Sequence, residues 1–131
     1  MVGLRRLLVL AAAALLVLVI VLAVRGWRSE RAQPPRSVGD FVALAGSSGP
    51  TAFGRHTKCG GVIGPDTLGI SHPTLPCGAR IYITYRGLRV LTAVIDRGPY
   101  EAGRQFDVTD ALARRLGLQG VQQVHWSYAG P

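Results

Sequence analysis

Three side chains in the Gly- and Pro-rich part of this chain are suited to proton transfer: Asp96, Asp107 and His72. Asp107 lies between Phe106 and Val108 in a short β-prone run, so its side chain points to the strand face opposite those two apolar residues. A protonated carboxyl group can act as a general acid, and a second carboxylate or an imidazole can tune it. We therefore treat the three as candidate catalytic residues.

Each candidate also has a purely structural interpretation. Asp107 comes just before a predicted helix start and could cap it. Asp96 opens an Asp-Arg-Gly-Pro turn, where an aspartate commonly accepts hydrogen bonds from the backbone N–H groups that follow it. His72 could bond to backbone groups of the surrounding turn. The sequence leaves both interpretations open for all three residues.

The elements that must position these residues are short strands separated by turns. The clearest hairpin pairs residues 80–85, where apolar residues alternate, with residues 89–95 across an Arg-Gly turn. Thr109 is a predicted helix N-cap, and Gly117 ends the same short helix. The other predicted strands cover residues 41–45, 70–72, 106–108 and 121–128. A set of about six short strands and one short helix is typical of a small closed β-barrel.

A separate hydrophobic segment opens the chain. No polar residue interrupts the run from Leu7 to Val24, and a helix over this run is about 27 Å long, enough to cross the hydrocarbon core of a bilayer. Its length and the lack of an Ala-x-Ala site favour an uncleaved signal anchor, with a cleaved signal peptide as the alternative. We therefore divide the chain into a transmembrane or signal helix (1–25), a linker (26–37) and a barrel domain (38–131).

The net charge of +8 comes mainly from arginines that flank the hydrophobic run. Such arginines suit the anionic lipid head groups of a membrane surface. The predicted barrel is only mildly basic and has no Lys/Arg run, which argues against nucleic-acid binding. We expect the membrane as a partner, no nucleic acid, and no cofactor or metal.

Cys59 and Cys77 are the two cysteines of the chain. In an exported protein such a pair is expected to form one disulfide, which places the barrel outside the cytosol. The chain is then a single-pass membrane protein with an external barrel, or secreted if the helix is cleaved. Two alternatives are a thiol nucleophile paired with His72 or His56, and a zinc site. No orienting partner for a nucleophile is evident, and the spacings match no usual zinc ligand set.

Three motifs occur together and in order in the predicted barrel: Gly69–Gly78 (GISHPTLPCG), Val94–Tyr100 (VIDRGPY) and Gly103–Thr109 (GRQFDVT). In this combination the chain resembles the rare lipoprotein A family over roughly residues 40–128. The resemblance implies a double-psi β-barrel, the fold shared with expansins, barwin-like proteins and family 45 endoglucanases. It also implies peptidoglycan glycan strands as the ligand, with cell-division or wall-synthesis proteins as further partners.

The resemblance assigns a role to each candidate catalytic residue. Asp107 matches an aspartate of the polysaccharide groove in expansins, and the matching aspartate is the general acid in the related endoglucanases. Asp96 matches a second aspartate near that groove, whose charge would keep the acid protonated. His72 matches a histidine that lines the groove. A groove with Asp107 at its floor is therefore expected.

Tyr100, Arg97 and Asp66 complete the expected site as ligand-binding residues. An exposed ring at Tyr100 would stack on a sugar face, whereas Asp66 could equally be an ordinary turn residue. Gly61 stands where active relatives carry an acid. Hydrolysis needs a second carboxylate, but a lytic transglycosylase can use one acid, because the substrate's own hydroxyl attacks. The two expected functions are a peptidoglycan lytic transglycosylase and a non-catalytic, expansin-like glycan-binding or division-site module.

Overall fold

The computed structural model describes residues 2–28 and 34–131. The chain separates into two compact units, Met1–Pro34 and Pro35–Pro131, which are described in turn. Of the predicted linker, residues 29–33 lie outside the described residues.

Helix α1 (Val2–Arg28) is the secondary structure of the first unit. Its segment Gly3–Val24 is 22 residues long and has a mean hydropathy of 3.4. At 1.5 Å per residue this segment measures about 33 Å, and its described side chains are exposed on every side. A membrane anchor and a signal sequence both have this length and composition.

The second unit is a closed barrel of six strands with the neighbour order β1-β5-β2-β4-β3-β6. The strands are β1 (Ser37–Ser47), β2 (Ile70–Ser71), β3 (Arg80–Tyr85), β4 (Leu88–Asp96), β5 (Phe106–Val108) and β6 (Val121–Ala129). A 3₁₀ turn covers Pro50–Ala52, and helix α2 (Asp110–Leu116) connects β5 to β6. The expected mainly-β fold, a six-stranded barrel with one short helix preceded by an apolar helix, is confirmed.

The predicted hairpin is formed by β3 and β4, which pair in antiparallel register from Arg80 opposite Ala93 to Tyr85 opposite Leu88. The two residues between the strands both have positive φ, 49° at Arg86 and 80° at the glycine after it. Two consecutive positive φ values match the twist of the flanking strands and give a tight hairpin turn. The Arg-Gly pair thus explains where the chain reverses.

Strand β2 has only two residues, but it joins the two candidate carboxylates. Ser71 lies opposite Asp96 of the parallel strand β4 and opposite Asp107 of the antiparallel strand β5. Residues that face one another on neighbouring strands share a side of the sheet. Asp96 and Asp107 therefore stand on either side of Ser71, although they come from strands that are not adjacent in the barrel.

The core lies on the other side of β5. Phe106 and Val108 are 1% and 0% exposed and pack with Leu112 and Leu116 of α2 in one apolar cluster. The prediction that these two strand residues face the core, with Asp107 on the opposite side, is confirmed by this packing.

Helix α2 begins and ends where expected, but its N-cap works differently from the prediction. Thr109 has the extended backbone of an N-cap, yet its hydroxyl makes no capping hydrogen bond. The hydroxyl instead accepts a hydrogen bond from the backbone N–H of Gly69 at 3.2 Å. Gly117 ends the helix in the left-handed conformation, with φ 66°. Thr109 thus ties the start of the helix to the residue before β2.

Candidate functional site

Asp96 and Asp107 are both enclosed, at 0% and 1% exposure. The expected open groove with Asp107 at its floor is therefore absent from the described barrel. The segment after β4 covers Asp107, because a Cβ added at Gly98 would lie 3.3 Å from its Oδ2 atom. Each carboxylate lies beside an arginine and accepts hydrogen bonds from backbone N–H groups, one at Asp107 and two at Asp96.

Both oxygens of Asp107 have partners close to it in sequence. Oδ2 accepts a hydrogen bond from the backbone N–H of Tyr100 at 2.8 Å. Oδ1 accepts one from Nε of Arg104 at 2.5 Å, within an ion pair. Neither oxygen contacts helix α2, so capping of that helix does not explain the residue. Asp107 instead holds the turn that follows β4 against the barrel.

Arg104 is fixed as firmly as the carboxylate it contacts. Its side chain is only 5% exposed, and its Nη1 atom forms a second ion pair with Glu101 at 3.2 Å. It lies flat over Gly46 of β1, where an added Cβ would be 2.7 Å from Nη1 and 2.9 Å from Cδ. Real Cβ atoms do not approach that closely, so the glycine makes room for this arginine.

Asp96 divides its two oxygens between backbone and side-chain donors. Oδ1 accepts hydrogen bonds from the backbone N–H groups of Lys58 and Arg97, each at 2.8 Å. Oδ2 accepts one from the hydroxyl of Tyr100 at 2.9 Å. Nη2 of Arg55 lies 3.6 Å from the same oxygen. Asp96 therefore binds backbone N–H groups, as the turn interpretation predicts, and it also lies near Asp107, on the other side of Ser71.

Tyr100 bridges the two carboxylates, since its N–H contacts Asp107 and its hydroxyl contacts Asp96. The side chain is nevertheless 51% exposed. Partial desolvation and then the hydrogen bond to Asp96 raise the pKa of Tyr100. The ring is thus a half-exposed cover on one oxygen of Asp96.

Arg55 belongs to this site and was missed by the sequence analysis. Its guanidinium carbon lies 4.1 Å from the centroid of the Tyr100 ring, in cation–π contact. Its Nε and Nη2 atoms are buried without a hydrogen-bond partner. A buried donor left unpaired costs about 1–3 kcal/mol. No motif marked Arg55, and its contact with Asp96 spans 41 residues of chain, so no local signal pointed to it.

His72 lies next to the carboxylates in the chain fold, but its ring faces elsewhere. Its backbone N–H donates to the carbonyl of Asp96 at 3.1 Å. The ring accepts hydrogen bonds at Nδ1 from the N–H groups of Thr74 and Leu75, at 3.2 and 3.0 Å, and lies 5.1 Å from the Phe106 ring. Burial and then the charge of Arg97 lower the pKa of His72. The backbone-bonded interpretation thus describes its contacts.

Arg97 is also engaged in the turn that contains His72. Its Nη1 atom donates to the carbonyls of His72 and Leu75, at 3.1 and 2.6 Å. Its Nη2 atom contacts Sγ of Cys77 at 3.4 Å. These contacts make Arg97 a brace for the turn, and its use as a ligand-binding residue would require it to exchange them.

The disulfide between Cys59 and Cys77 is present, with the Cα atoms 5.4 Å apart. It leaves neither thiol free, so the nucleophile and zinc alternatives are wrong. The bond joins the loop before Cys59 to the turn braced by Arg97. Because Lys58 of that loop donates to Asp96, the disulfide also helps to hold the loop over this carboxylate.

Asp66 lies apart from the other candidates. It is exposed and borders a surface hollow with Ala111, Arg114 and Arg115 of α2. No hydrogen bond or ion pair links Asp66 to Asp96 within the described part of the chain. Across residues 2–28 and 34–131, no three metal-ligating side chains are close enough to hold an ion.

The barrel is similar to known peptidoglycan transglycosylases. Endolytic peptidoglycan transglycosylase RlpA of Yersinia pestis is 36% identical over 85 residues, which cover 63% of this chain and 24% of that protein. The protein of the same name from Neisseria meningitidis serogroup A is 31% identical over 100 residues, covering 73% of this chain and 42% of the relative. This chain thus spans less than half of either relative. No protein-family model matches it.

One solved structure supports the fold. Streptomyces papain inhibitor superposes with a TM-score of 0.56 at 18% sequence identity, covering 72% of this chain and 98% of the inhibitor. At that identity the likeness concerns the barrel architecture alone.

Proposed function

Since its barrel is homologous to part of the RlpA transglycosylases, we propose that this chain cleaves peptidoglycan glycan strands by lytic transglycosylation. In that reaction a carboxyl group protonates the leaving glycosidic oxygen, a hydroxyl of the substrate attacks the anomeric carbon in place of water, and the carboxylate then takes up the proton of that hydroxyl. One acid is sufficient, which suits a chain with a glycine at position 61. The observation that carries the proposal is an enclosed carboxylate, Asp96, with one oxygen covered by two partly exposed side chains, Tyr100 and Arg55.

The contacts favour Asp96 over Asp107 as the proton donor. Oδ2 of Asp96 has only side-chain partners, Tyr100 and the partly exposed Arg55, so movement of side chains without the backbone would uncover it. To uncover Asp107, either the backbone at Tyr100 or the buried Arg104 side chain must move. Asp107 was the expected proton donor, and we propose instead that Asp107 is a positioning residue that holds the turn bearing Tyr100.

The runner-up function is a glycan-binding module without catalysis. The position of Gly61 favours it, because Asp66, the acid that follows in the same loop, lies beside helix α2 and not beside Asp96. Gly61 is exposed, has φ 93°, and an added Cβ would touch nothing within 4 Å. Space for a side chain is therefore present, but a second acid is not. Such a module would bind insoluble peptidoglycan and release nothing.

A turnover assay separates the two functions and the two aspartates. The full chain, solubilised in detergent, is incubated with purified sacculi, and soluble anhydro-muropeptides are quantified. We expect release by the wild type and a loss of about 100-fold or more in Asp96→Asn. Asp107→Asn, assayed at a temperature where it remains folded, should keep measurable release. The opposite ranking would return the donor role to Asp107, and binding without release by the wild type would support the module.

We further propose that helix α1 tethers the barrel to the membrane and that the barrel lies outside the cytosol. The disulfide supports a barrel outside the cytosol, because such bonds persist in oxidising compartments. Labelling of an introduced surface cysteine by a membrane-impermeant reagent in whole cells tests the placement. Cell-division and wall-synthesis proteins remain predicted partners.

A further inference from the structure

Arg55 presents two buried donors without partners beside the carboxylate assigned to catalysis. We propose that Arg55 binds the acetamido carbonyl of an N-acetylated sugar, and that Tyr100 covers this subsite when no glycan is bound. The inference rests on the proposed function, because it names the chemical group by which the same site would select its substrate.

The unpaired donors indicate what kind of atom is missing. Nε and Nη2 lie on one edge of the guanidinium, the arrangement that best grips an acceptor oxygen. Asp96 is too far away to serve, since its Oδ2 atom is 3.6 Å from Nη2 and already accepts the Tyr100 hydroxyl. Among the described residues this edge thus has no acceptor at hydrogen-bond distance, and the oxygen of a bound ligand would supply one.

Charge selects a neutral oxygen over an anionic one. In the resting site, before Asp96 has gained the proton that it donates, its carboxylate balances the positive charge of Arg55 across their ion pair. A second carboxylate placed on Arg55 would face Asp96 at close range, which like-charge repulsion disfavours. An amide carbonyl carries no net charge and still accepts hydrogen bonds from a guanidinium. In a peptidoglycan strand the acetamido groups provide such carbonyls on the sugars themselves.

Tyr100 is built to cover and uncover this subsite. The centroid of its ring lies 4.1 Å from the guanidinium carbon of Arg55, and its hydroxyl bonds to Asp96. One side chain therefore covers both the guanidinium of Arg55 and the carboxylate of Asp96. Its backbone N–H stays bonded to Asp107. The side chain can therefore turn outward about a fixed backbone position, which would expose Asp96 and Arg55 together. The exposed ring would then be free to lie against a sugar face.

The test measures binding of the full chain in detergent to three insoluble wall preparations. These are native peptidoglycan, peptidoglycan that has been enzymatically de-N-acetylated, and peptidoglycan stripped of its stem peptides. We expect wild-type affinity to fall about tenfold on de-N-acetylation, the value of one charge-assisted hydrogen bond, and to change little on peptide removal. Re-acetylation of the treated wall should restore binding.

Arg55→Gln is the decisive variant. We expect it to bind native wall about tenfold more weakly than the wild type, and to lose on de-N-acetylation only what charge repulsion removes from any basic protein. The new amines of a de-N-acetylated wall repel a basic protein, but that effect would weaken both proteins equally. Arg89→Gln is the matched control, because Arg89 stacks on the Tyr82 ring at 3.7 Å elsewhere on the barrel. It should behave as the wild type.

Three results would overturn the inference. Arg55→Gln could retain the preference for acetylated wall, or peptide removal could abolish the Arg55-dependent binding. The wild type could also bind all three walls equally, which would leave the proposed function intact. Failure of the wild type to bind any wall would instead remove the proposed function.

The cover has a test of its own in Tyr100→Phe, which keeps the ring and deletes the hydrogen bond to Asp96. Because a glycan no longer has to displace that bond, affinity for native wall should rise about fivefold. Tyr128→Phe, on another exposed tyrosine, should leave it unchanged. Unchanged or weaker binding by Tyr100→Phe would mean that Tyr100 is no cover.

Discussion

Asp96 and Asp107 are two enclosed carboxylates on one side of the barrel, yet they are held in different ways. Asp107 is bonded to a backbone N–H and to an arginine that is itself 5% exposed. Asp96 has one oxygen on backbone donors and the other under a tyrosine hydroxyl, beside an arginine with unpaired donors. Both oxygens of the first carboxylate are thus bonded to backbone or to a buried side chain, whereas one oxygen of the second has only partly exposed side chains as partners.

This difference shows that depth of burial alone does not identify a reactive carboxylate. The exposed fractions of the two side chains differ by only one percentage point. The two carboxylates differ in the kind of partner: Asp107 is bonded to backbone and to a packed arginine, whereas Asp96 is also bonded to a half-exposed tyrosine. If a glycan enters as we propose, it displaces partly exposed side chains at Asp96, whereas at Asp107 it would have to displace backbone or a buried arginine.

Substitution of each aspartate by asparagine should therefore affect stability unequally. Asp107→Asn leaves the buried Arg104 guanidinium with only the exposed Glu101 as counter-charge, a loss of about 3 kcal/mol in unfolding free energy. Asp96→Asn keeps a carbonyl for the two N–H groups at Oδ1, and Arg55 is 32% exposed to solvent, so its loss should be smaller. Thermal unfolding of the detergent-solubilised chain, followed by circular dichroism, gives both values. Equal losses would contradict the contrast.

Removal of the disulfide should affect mainly the Asp96 side. Replacement of both cysteines by serine removes the link between two positions that are 18 residues apart. The unfolded chain then gains entropy, so the free energy of unfolding should fall by about 3 kcal/mol. The loop before Cys59 should also loosen over Asp96. Hydrogen exchange at the Lys58 amide, compared with that at the Tyr100 amide, measures the local effect. A greater increase in hydrogen exchange at the Tyr100 amide than at the Lys58 amide would show that the disulfide stabilises the surroundings of Asp107 and not those of Asp96.

Gly46→Ala tests how tightly Arg104 is locked. The added methyl group would overlap the arginine, and such overpacking costs about 1–3 kcal/mol. Gly64→Ala is the matched control, since its Cβ would meet only Thr67 Oγ1 at 3.6 Å, an ordinary contact. Urea denaturation of both variants gives the comparison. A neutral Gly46→Ala would mean that Arg104 adjusts easily and that Asp107 is less firmly held.

The smallest effect concerns the turn at His72, whose pKa is lowered by burial and then by the charge of Arg97. The unfolded chain takes up a proton on this imidazole at higher pH than the folded chain does. The stabilising contribution is thus full above pH 6.5 and is lost as the pH falls below that value. Melting temperatures between about pH 7.5 and 5 should fall, and His72→Asn should reduce the fall, because its amide carbonyl replaces Nδ1 without titrating.

His125→Asn is the control for that titration, because this side chain is 55% exposed. It should leave the pH dependence of the melting temperature almost unchanged. An equal flattening of the profile by both substitutions would assign the pH dependence to some other group.

The fold was largely predictable because its signals are local. Alternating apolar residues and an Arg-Gly turn defined the hairpin, and the helix from Asp110 to Leu116 follows from spacing and a terminal glycine. Phe106 and Val108 gave the side of β5 on which Asp107 stands. The strand order could not be read in this way, because β2 pairs with strands distant in sequence. The family resemblance implied it instead.

The site was only half predictable. Motifs pointed to Asp96, Asp107 and Tyr100, but not to the bonds among them. Arg55 and the amide of Lys58 reach Asp96 across long stretches of chain, 38 residues in the case of Lys58. Such contacts depend on how loops fold over the finished barrel, and composition or spacing carries no trace of them.

The two-residue strand β2 has a consequence for how the molecule matures. Ser71 of β2 pairs with the end of β4, the second strand of the hairpin, and with β5, the strand before helix α2. No fragment of the barrel that lacks one of these strands therefore holds both acids in place. Non-local pairings of this kind form late, when chain ends have already been brought together. A partly folded molecule would thus be inert toward its surroundings, and reactivity would arise only with the completed sheet.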